Sequence, residues 1–232
     1  MKAKNVVEPI ALDARTAVYH LKVHILNISP MIYRRFIIDG NTHIAELHHL
    51  IQMMMGWENQ HLHVFHIWGV DYGISYEGGT YYRDDPSEIF IGDLGLRAGD
   101  KFSYVYDFGD YWQHEIRVEK VENTRPGYHH PICTAGRRAC PPEDAGGPYA
   151  YQDALIGQFS WIQETLSNVL ESIENGEVPD LDLDNAPWWY LKHRSEVFDK
   201  KKMNRALERL YQKKGDGKFW RTLGGYDAYF DD

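Results

Sequence analysis

Two hydrophobic periods follow one another near the start of the chain, and together they restrict the fold more than any other feature. From Val18 the residues alternate. Tyr19, Leu21, Val23 and Ile25 make an apolar face, and Val18, His20, Lys22, His24 and Leu26 make the opposite one. Successive side chains of a strand point to opposite sides, so this period of two describes a half-buried strand. Asn27-Ile28-Ser29-Pro30 supplies a turn, and Ile32 to Ile38 returns as the second strand of a hairpin. After Asp39-Gly40-Asn41 the period changes. Ile44, Leu47, His48, Ile51, Met54 and Met55 recur at helical spacing as far as Gly56. Thr42 is the expected N-cap, its hydroxyl accepting a first-turn amide. Glu46 sits one position too late for a reciprocal capping box.

Strand signals resume at Leu62–Trp68, Lys101–Tyr106 and His114–Val121, with a Gly- and Tyr-rich excursion from Gly69 to Pro86. Residues 123–150 read as irregular and Asp180–Asp184 as an acidic loop. Helical spacing returns over Tyr149–Gln158, Trp161–Glu174 and Met203–Lys213. Strand-strand-helix followed by strands predicts an α+β protein: a mixed sheet of β-grasp-like or roll order, covered on one face by the helix. The C-terminal helices form an appended layer from about residue 149. The expected organisation is a flexible leader over 1–15, one domain over 16–215 and a tail over 216–232.

Composition narrows the function classes. The formal net charge of -9 argues against strong non-specific duplex binding, which needs clustered cations to neutralise phosphates. A local basic patch remains available at Lys192-His193-Arg194 with Lys200, Lys201, Lys202 and Arg205. A solvated helix face is the plainer reading of it. Two cysteines among 232 residues do not make a disulfide scaffold. The apolar stretch after Lys2 and Lys4 is short and broken by Glu8 and Pro9, so it is no signal peptide, and no apolar run approaches the ~20 residues of a membrane span. A soluble cytoplasmic protein is the expectation.

Candidate chemistry concentrates between Asp107 and Gly147. Asp107-Phe108-Gly109-Asp110 joins two strands, and Asp and Gly there first of all supply turn geometry. Trp112 and His114 share a strand face near that turn, so Asp107, Asp110 and His114 can converge as metal ligands or as acid–base groups. Pro141-Pro142-Glu143-Asp144-Ala145-Gly146-Gly147 presents two adjacent acids on a backbone stiffened by prolines and turned by glycines. It suits a metal or cation site, or equally a rigid loop whose carboxylates accept backbone amides. Cys133 and Cys140 are too far apart for a tight zinc hook, although His129 and His130 lie just upstream. His61 and His63 fall on one face of the third strand and His66 on the other. A strand i, i+2 imidazole pair can bind metal, but histidines with satisfied nitrogens are the commoner case. No nucleophile elbow, phosphate loop or dinucleotide fingerprint is present.

The run Tyr106-Asp107-Phe108-Gly109-Asp110-Tyr111-Trp112-Gln113-His114, with Pro131-Ile132-Cys133, Gly136, Ala139-Cys140-Pro141-Pro142-Glu143-Asp144 and Gly146-Gly147, resembles the plasmid pRiA4b open-reading-frame-three-like family. Members of that family are often labelled passenger "TnpR" proteins of insertion elements. The resemblance extends from about Val18 to Leu210. It takes in Leu21-Lys22-Val23, Ile32-Tyr33-Arg34-Arg35, His61-Leu62-His63, Phe198-Asp199 and Asn204. It implies an α+β domain, a mobile-element neighbourhood and little biochemistry. It also implies a further cysteine where this chain has Ala145. A three-cysteine metal set is therefore short of a member, and the weight moves to carboxylate and histidine ligation.

Three functions follow as expectations. The first is a metal-binding or catalytic site built from Asp107, Asp110, His114, Glu143 and Asp144, with His63 and Cys140 as further ligands, for a divalent metal such as zinc or manganese. The second is a non-catalytic module for a protein or nucleic-acid partner, with Trp188, Trp189 and Tyr190 as stacking surfaces. In the third, both motifs only lock the sheet to the helices. The sequence leaves open whether the chain is an enzyme.

Overall fold

The computed structural model describes residues 14–123, 131–179 and 197–212. The leader as far as residue 13, His129, His130, the acidic loop, Trp188 to Tyr190, Lys192 to Arg194 and the C-terminal tail lie outside the described residues.

The first hairpin forms as the alternation requires. β1 (Ala17–Ile25) pairs antiparallel with β2 (Tyr33–Asp39), Leu21 opposite Phe36. α1 (Ile44–Met55) follows and ends at Gly56, which takes the left-handed conformation at φ 83. Its N-cap is His43 rather than Thr42: the His43 Nδ1 accepts the Glu46 amide at 3.0 Å. His43 is itself extended (φ -85, ψ 162) and bridges to Phe90, so the helix starts one residue later.

After α1 come β3 (His63–Ile67), β4 (Val70–Gly73), a short 3-10 turn (Ile91–Leu94), β5 (Lys101–Tyr106) and β6 (Trp112–Asn123). The segment expected to be irregular contains one more strand, β7 (Ile132–Arg137), which pairs with β2. The seven strands lie in the order β4-β3-β5-β6-β1-β2-β7. The chain is thus α+β as expected, and the anticipated mixed sheet resolves into one that is antiparallel in every described pairing. α1 carries the chain from β2 to the far half of the sheet, so β3 pairs with β4 and β5 rather than with the first hairpin.

The expected pair of helices after residue 149 is one, α2 (Gly147–Asn175), with Pro148 in its first turn, where a missing N–H costs nothing. α3 (Lys200–Gln212) lies against β7. Its Asn204 side chain accepts from the Cys133 N–H at 2.8 Å and donates to the Cys133 carbonyl at 3.0 Å, covering an edge that would otherwise present open ladder groups. Lys200, Lys201, Lys202 and Arg205 occupy its exposed side, and Leu207 and Leu210 are buried.

One face of the sheet meets α1. Leu21, Val23 and Ile25 on β1, Phe36 and Ile38 on β2, and Ile116 and Val118 on β6 are buried with Leu47, Leu50, Ile51 and Met54 of the helix. Each such side chain is worth roughly 1.5–3 kcal/mol when fully removed from water. Polar groups are interleaved in this core. Arg34 is 1% exposed and has its charge met by oxygens: its guanidinium donates to the carbonyls of Met54, Tyr33 and Arg137, and it lies 3.9 Å over the Phe198 ring. The Met54 carbonyl belongs to the last turn of α1, the negative end of the helix dipole. A second polar group joins His48 and Gln52, both hydrogen-bonded to the Tyr104 hydroxyl, with His63 stacked on His48 at 3.4 Å between ring centroids.

Candidate functional site

Three loops meet at the end of the sheet where β5 turns into β6. The first is the turn after β5. Asp107 is left-handed at φ 58, and its Oδ1 accepts the amides of Gly109 at 2.9 Å and Asp110 at 3.3 Å. This closes the turn as the Asp-x-Gly spacing predicts, and it leaves Oδ2 for another partner.

The second loop, Cys140 to Gly147, is fastened along its length. The Pro141 carbonyl accepts from Trp57 Nε1 at 2.9 Å. Glu143 accepts the Glu58 amide at 2.9 Å and the Tyr106 hydroxyl. The Gly146 amide donates to Asp110 Oδ2 at 3.0 Å. Gly147 has φ 82, and a Cβ there would lie 2.4 Å from the Asp110 carbonyl oxygen, so only glycine lets the two turns touch. Burial and then Glu143 push the Tyr106 phenol upward, which keeps it a proton donor to the carboxylate.

The third loop, Trp57 to Leu62, carries His61. Its Nε2 lies 3.2 Å from Asp144 Oδ1 and 3.7 Å from Asp107 Oδ2. That nitrogen is shielded from solvent and aligned for a hydrogen bond with neither oxygen. One ligand atom from each of His61, Asp107 and Asp144 falls within 4.8 Å of the others, and among the described residues no other group of three His, Cys, Asp or Glu does so. Ligands bound at ~2.0–2.2 Å and meeting at tetrahedral or octahedral angles stand roughly 3–3.5 Å apart. Two of the separations, 3.2 and 3.7 Å, are near that scale, and the third lies within 4.8 Å. Its floor is Asp107, 6% exposed, and its open side is Asp144, whose side chain is 72% exposed. Left-handed backbone at Asp107, at Asp144 (φ 55) and at Tyr111 (φ 56) concentrates unusual conformation here.

The structure therefore brings Asp107 and Asp144 together, and Asp110 and Glu143 stand beside them with their oxygens committed to the loops. The remaining candidates lie in the core. His114 does share a face with Trp112, but it is the face that buries Ile116 and Val118. Both residues are fully buried, and His114 Nδ1 faces the Tyr104 carbonyl at 3.3 Å. Burial lowers His114 and His63 each to about 3, so both are neutral imidazoles. Cys140 is buried between Met55 and Arg34. The Arg34 guanidinium donates to its sulfur at 3.2 Å, and burial still pushes the thiol up to about 11. Cys133 is raised by the same cause.

As a candidate ligand, His61 figures in the sequence only as the partner of His63 in an i, i+2 pair, for which histidines with satisfied nitrogens are the commoner reading. β3 begins at His63, so His61 precedes the strand, and the i, i+2 argument for a shared face does not apply to it. The available signal was its position after the loop residues Glu58-Asn59-Gln60, at the level where β3 meets the Asp107 turn: the Asp107 amide donates to the Leu62 carbonyl at 2.9 Å.

Residues 17–164 match the model of the plasmid pRiA4b ORF-3-like protein family. Uncharacterized protein y4hQ of Sinorhizobium fredii (strain NBRC 101917 / NGR234) is 35% identical over 140 residues, which cover 59% of this chain and 71% of that protein. The crystal structure of MM3350, a protein of unknown function from Methanosarcina mazei Go1, superposes with a TM-score of 0.57 at 31% identity, covering 80% of this chain and 97% of that one. The chain belongs to the pRiA4b ORF-3-like family.

Proposed function

We propose that in this family member the corner formed by His61, Asp107 and Asp144 binds a divalent metal ion, manganese or zinc. The observation that carries the reading is the convergence of one imidazole nitrogen and two carboxylate oxygens, delivered by three separate loops, onto a point where none has a well-aligned hydrogen bond to another. One nitrogen with two oxygens is a donor set of intermediate hardness, which suits manganese and zinc better than a thiolate-seeking ion.

Three protein ligands leave coordination positions free, and the exposed side of Asp144 is where solvent reaches them. That is the arrangement of a centre that activates water rather than of a closed structural site. The reading therefore extends to metal-assisted hydrolysis. Asp110 and Glu143 serve as positioning residues, since their bonds fix the turn and the loop that carry Asp107 and Asp144.

A structural role for the wider motif is supported by the same bonds, which account for Asp110, Glu143, Gly147 and Pro141 without any ligand. They do not account for Asp144. Protein purified without a histidine tag should carry or take up one manganese or zinc ion and melt higher with it. A ligand at 100 times its dissociation constant adds about 2.7 kcal/mol. No bound metal and an unchanged melting temperature with both ions would remove the proposal.

A further inference from the structure

The proposed metal corner uses nothing of α2 beyond its first turn, and α2 carries an exposed apolar surface that the corner does not explain. Ile156, Phe159, Leu166, Leu170 and Ile173 are each between 58% and 69% exposed. Their spacings of three, seven, four and three place them in one seam, with Gln163 at the position that completes the alternation of three and four. The seam runs for roughly 26 Å at 1.5 Å per residue. Among the described residues, the adjacent face differs: Leu155, Ile162 and Val169 there are half-buried. Solitary exposed apolar residues are ordinary, but a stripe of five, interrupted only by Gln163, marks an interaction surface.

Charge says what fits it. Between Gly147 and Pro179 there is no lysine, arginine or histidine, against Asp153, Glu164, Glu171, Glu174 and Glu177. Glu164, Glu171 and Glu174 follow one border of the seam, and none has an ion-pair partner among the described residues. A second copy of α2 would set two uncompensated acidic borders side by side. An anionic lipid surface calls for lysine and arginine flanking the apolar stripe, and α2 has neither.

We infer that the exposed seam of α2 docks a basic amphipathic helix of a partner protein. Leucine-like side chains of that helix fill the positions beside Leu166 and Leu170. Its lysines or arginines meet Glu164, Glu171 and Glu174, and a polar residue opposite Gln163 fixes the register.

The probe is a synthetic 22-residue helical peptide with leucine at a and d and lysine at e and g, titrated against the full chain by fluorescence anisotropy. A twin peptide carries glutamate in place of lysine. The lysine peptide should bind at least ~10-fold more tightly than its twin at low salt and weaken as salt rises. Leu166→Asp with Leu170→Asp should abolish binding with the melting temperature unchanged. Glu164→Lys, Glu171→Lys and Glu174→Lys together should reverse the preference toward the glutamate peptide, and this surface variant tests the idea even if the leucine variant misfolds. Equal affinity for both peptides, or no affinity for either, would overturn the inference. So would a concentration-dependent dimer in sedimentation that the leucine variant abolishes, since that makes a second copy the occupant. A large loss of melting temperature in a folded leucine variant would show that the chain itself packs on the seam, with the same consequence.

Discussion

Lowering the pH from 7 to 5 should destabilise the fold through the imidazoles packed under α1. His63 is 2% exposed and His114 is fully buried, and desolvation holds each at about 3; His49, 9% exposed, is held at about 4 by desolvation and then by His43. In the unfolded chain a histidine titrates near 6.5. Between those values the unfolded state binds protons that the folded state refuses, so stability is complete above about pH 6.5 and falls as the pH drops toward the folded values. At pH 5 each group is about 1.5 units below its unfolded pKa, which is about 2 kcal/mol apiece and about 6 kcal/mol for three independent groups. His48 is shifted in the same direction, chiefly by burial. A domain has only about 5–15 kcal/mol in total. With a urea slope near 2–3 kcal/mol per molar, the urea midpoint should move down by about 2 M between pH 7 and pH 5. The assay is urea unfolding followed by tryptophan fluorescence at half-unit steps of pH. A midpoint that stays level across that range would refute the reasoning. So would an unchanged pH slope in a folded His63→Gln, His114→Gln variant, because the protons would then be binding elsewhere.

Three further outcomes follow from the loop contacts. Glu143→Ala leaves the Tyr106 hydroxyl and the Glu58 amide without their acceptor and should cost about 1–3 kcal/mol in denaturant melts, with Asp110→Ala smaller because only the Gly146 amide loses its partner. Gly147→Ala should lower the melting temperature by several degrees or more, since a Cβ meets the Asp110 carbonyl and the backbone is left-handed; a wild-type melt would contradict the packing. The two thiols should resist a water-soluble disulfide reagent in the native protein and react promptly in urea, because both are buried and both are shifted away from thiolate.

The parts of the fold legible in the sequence are those in which a single period runs without interruption. The alternation on β1 and the helical spacing of α1 survive intact because each element buries one face against the other. β7 escaped because its guides are long-range: its pairing with β2 and the cover of α3. It is six residues long, contains Gly136, and packs Phe198 where a side chain would stand, so it carries no apolar alternation of its own. Of the site, the two turns were legible from Asp, Gly and Pro, whose backbone preferences are local. The location of His114 in the core was not, because a strand face is assigned to core or solvent by its tertiary neighbours. The partners of His61 were hidden for the same reason: Asp107 and Asp144 lie 46 and 83 residues away in sequence and meet it only after the sheet has formed.

The central claim is a cation held by His61, Asp107 and Asp144, and Asp144 gives the cleanest test because its side chain is exposed and it does not staple the loop. Titration calorimetry of tag-free protein with manganese and with zinc should show one site per chain in the wild type. In Asp144→Ala that site should be absent or at least ~10-fold weaker, with the metal-free protein still folded. Equal metal affinity in the wild type and in Asp144→Ala, or no binding of either ion to the wild type, would contradict the account.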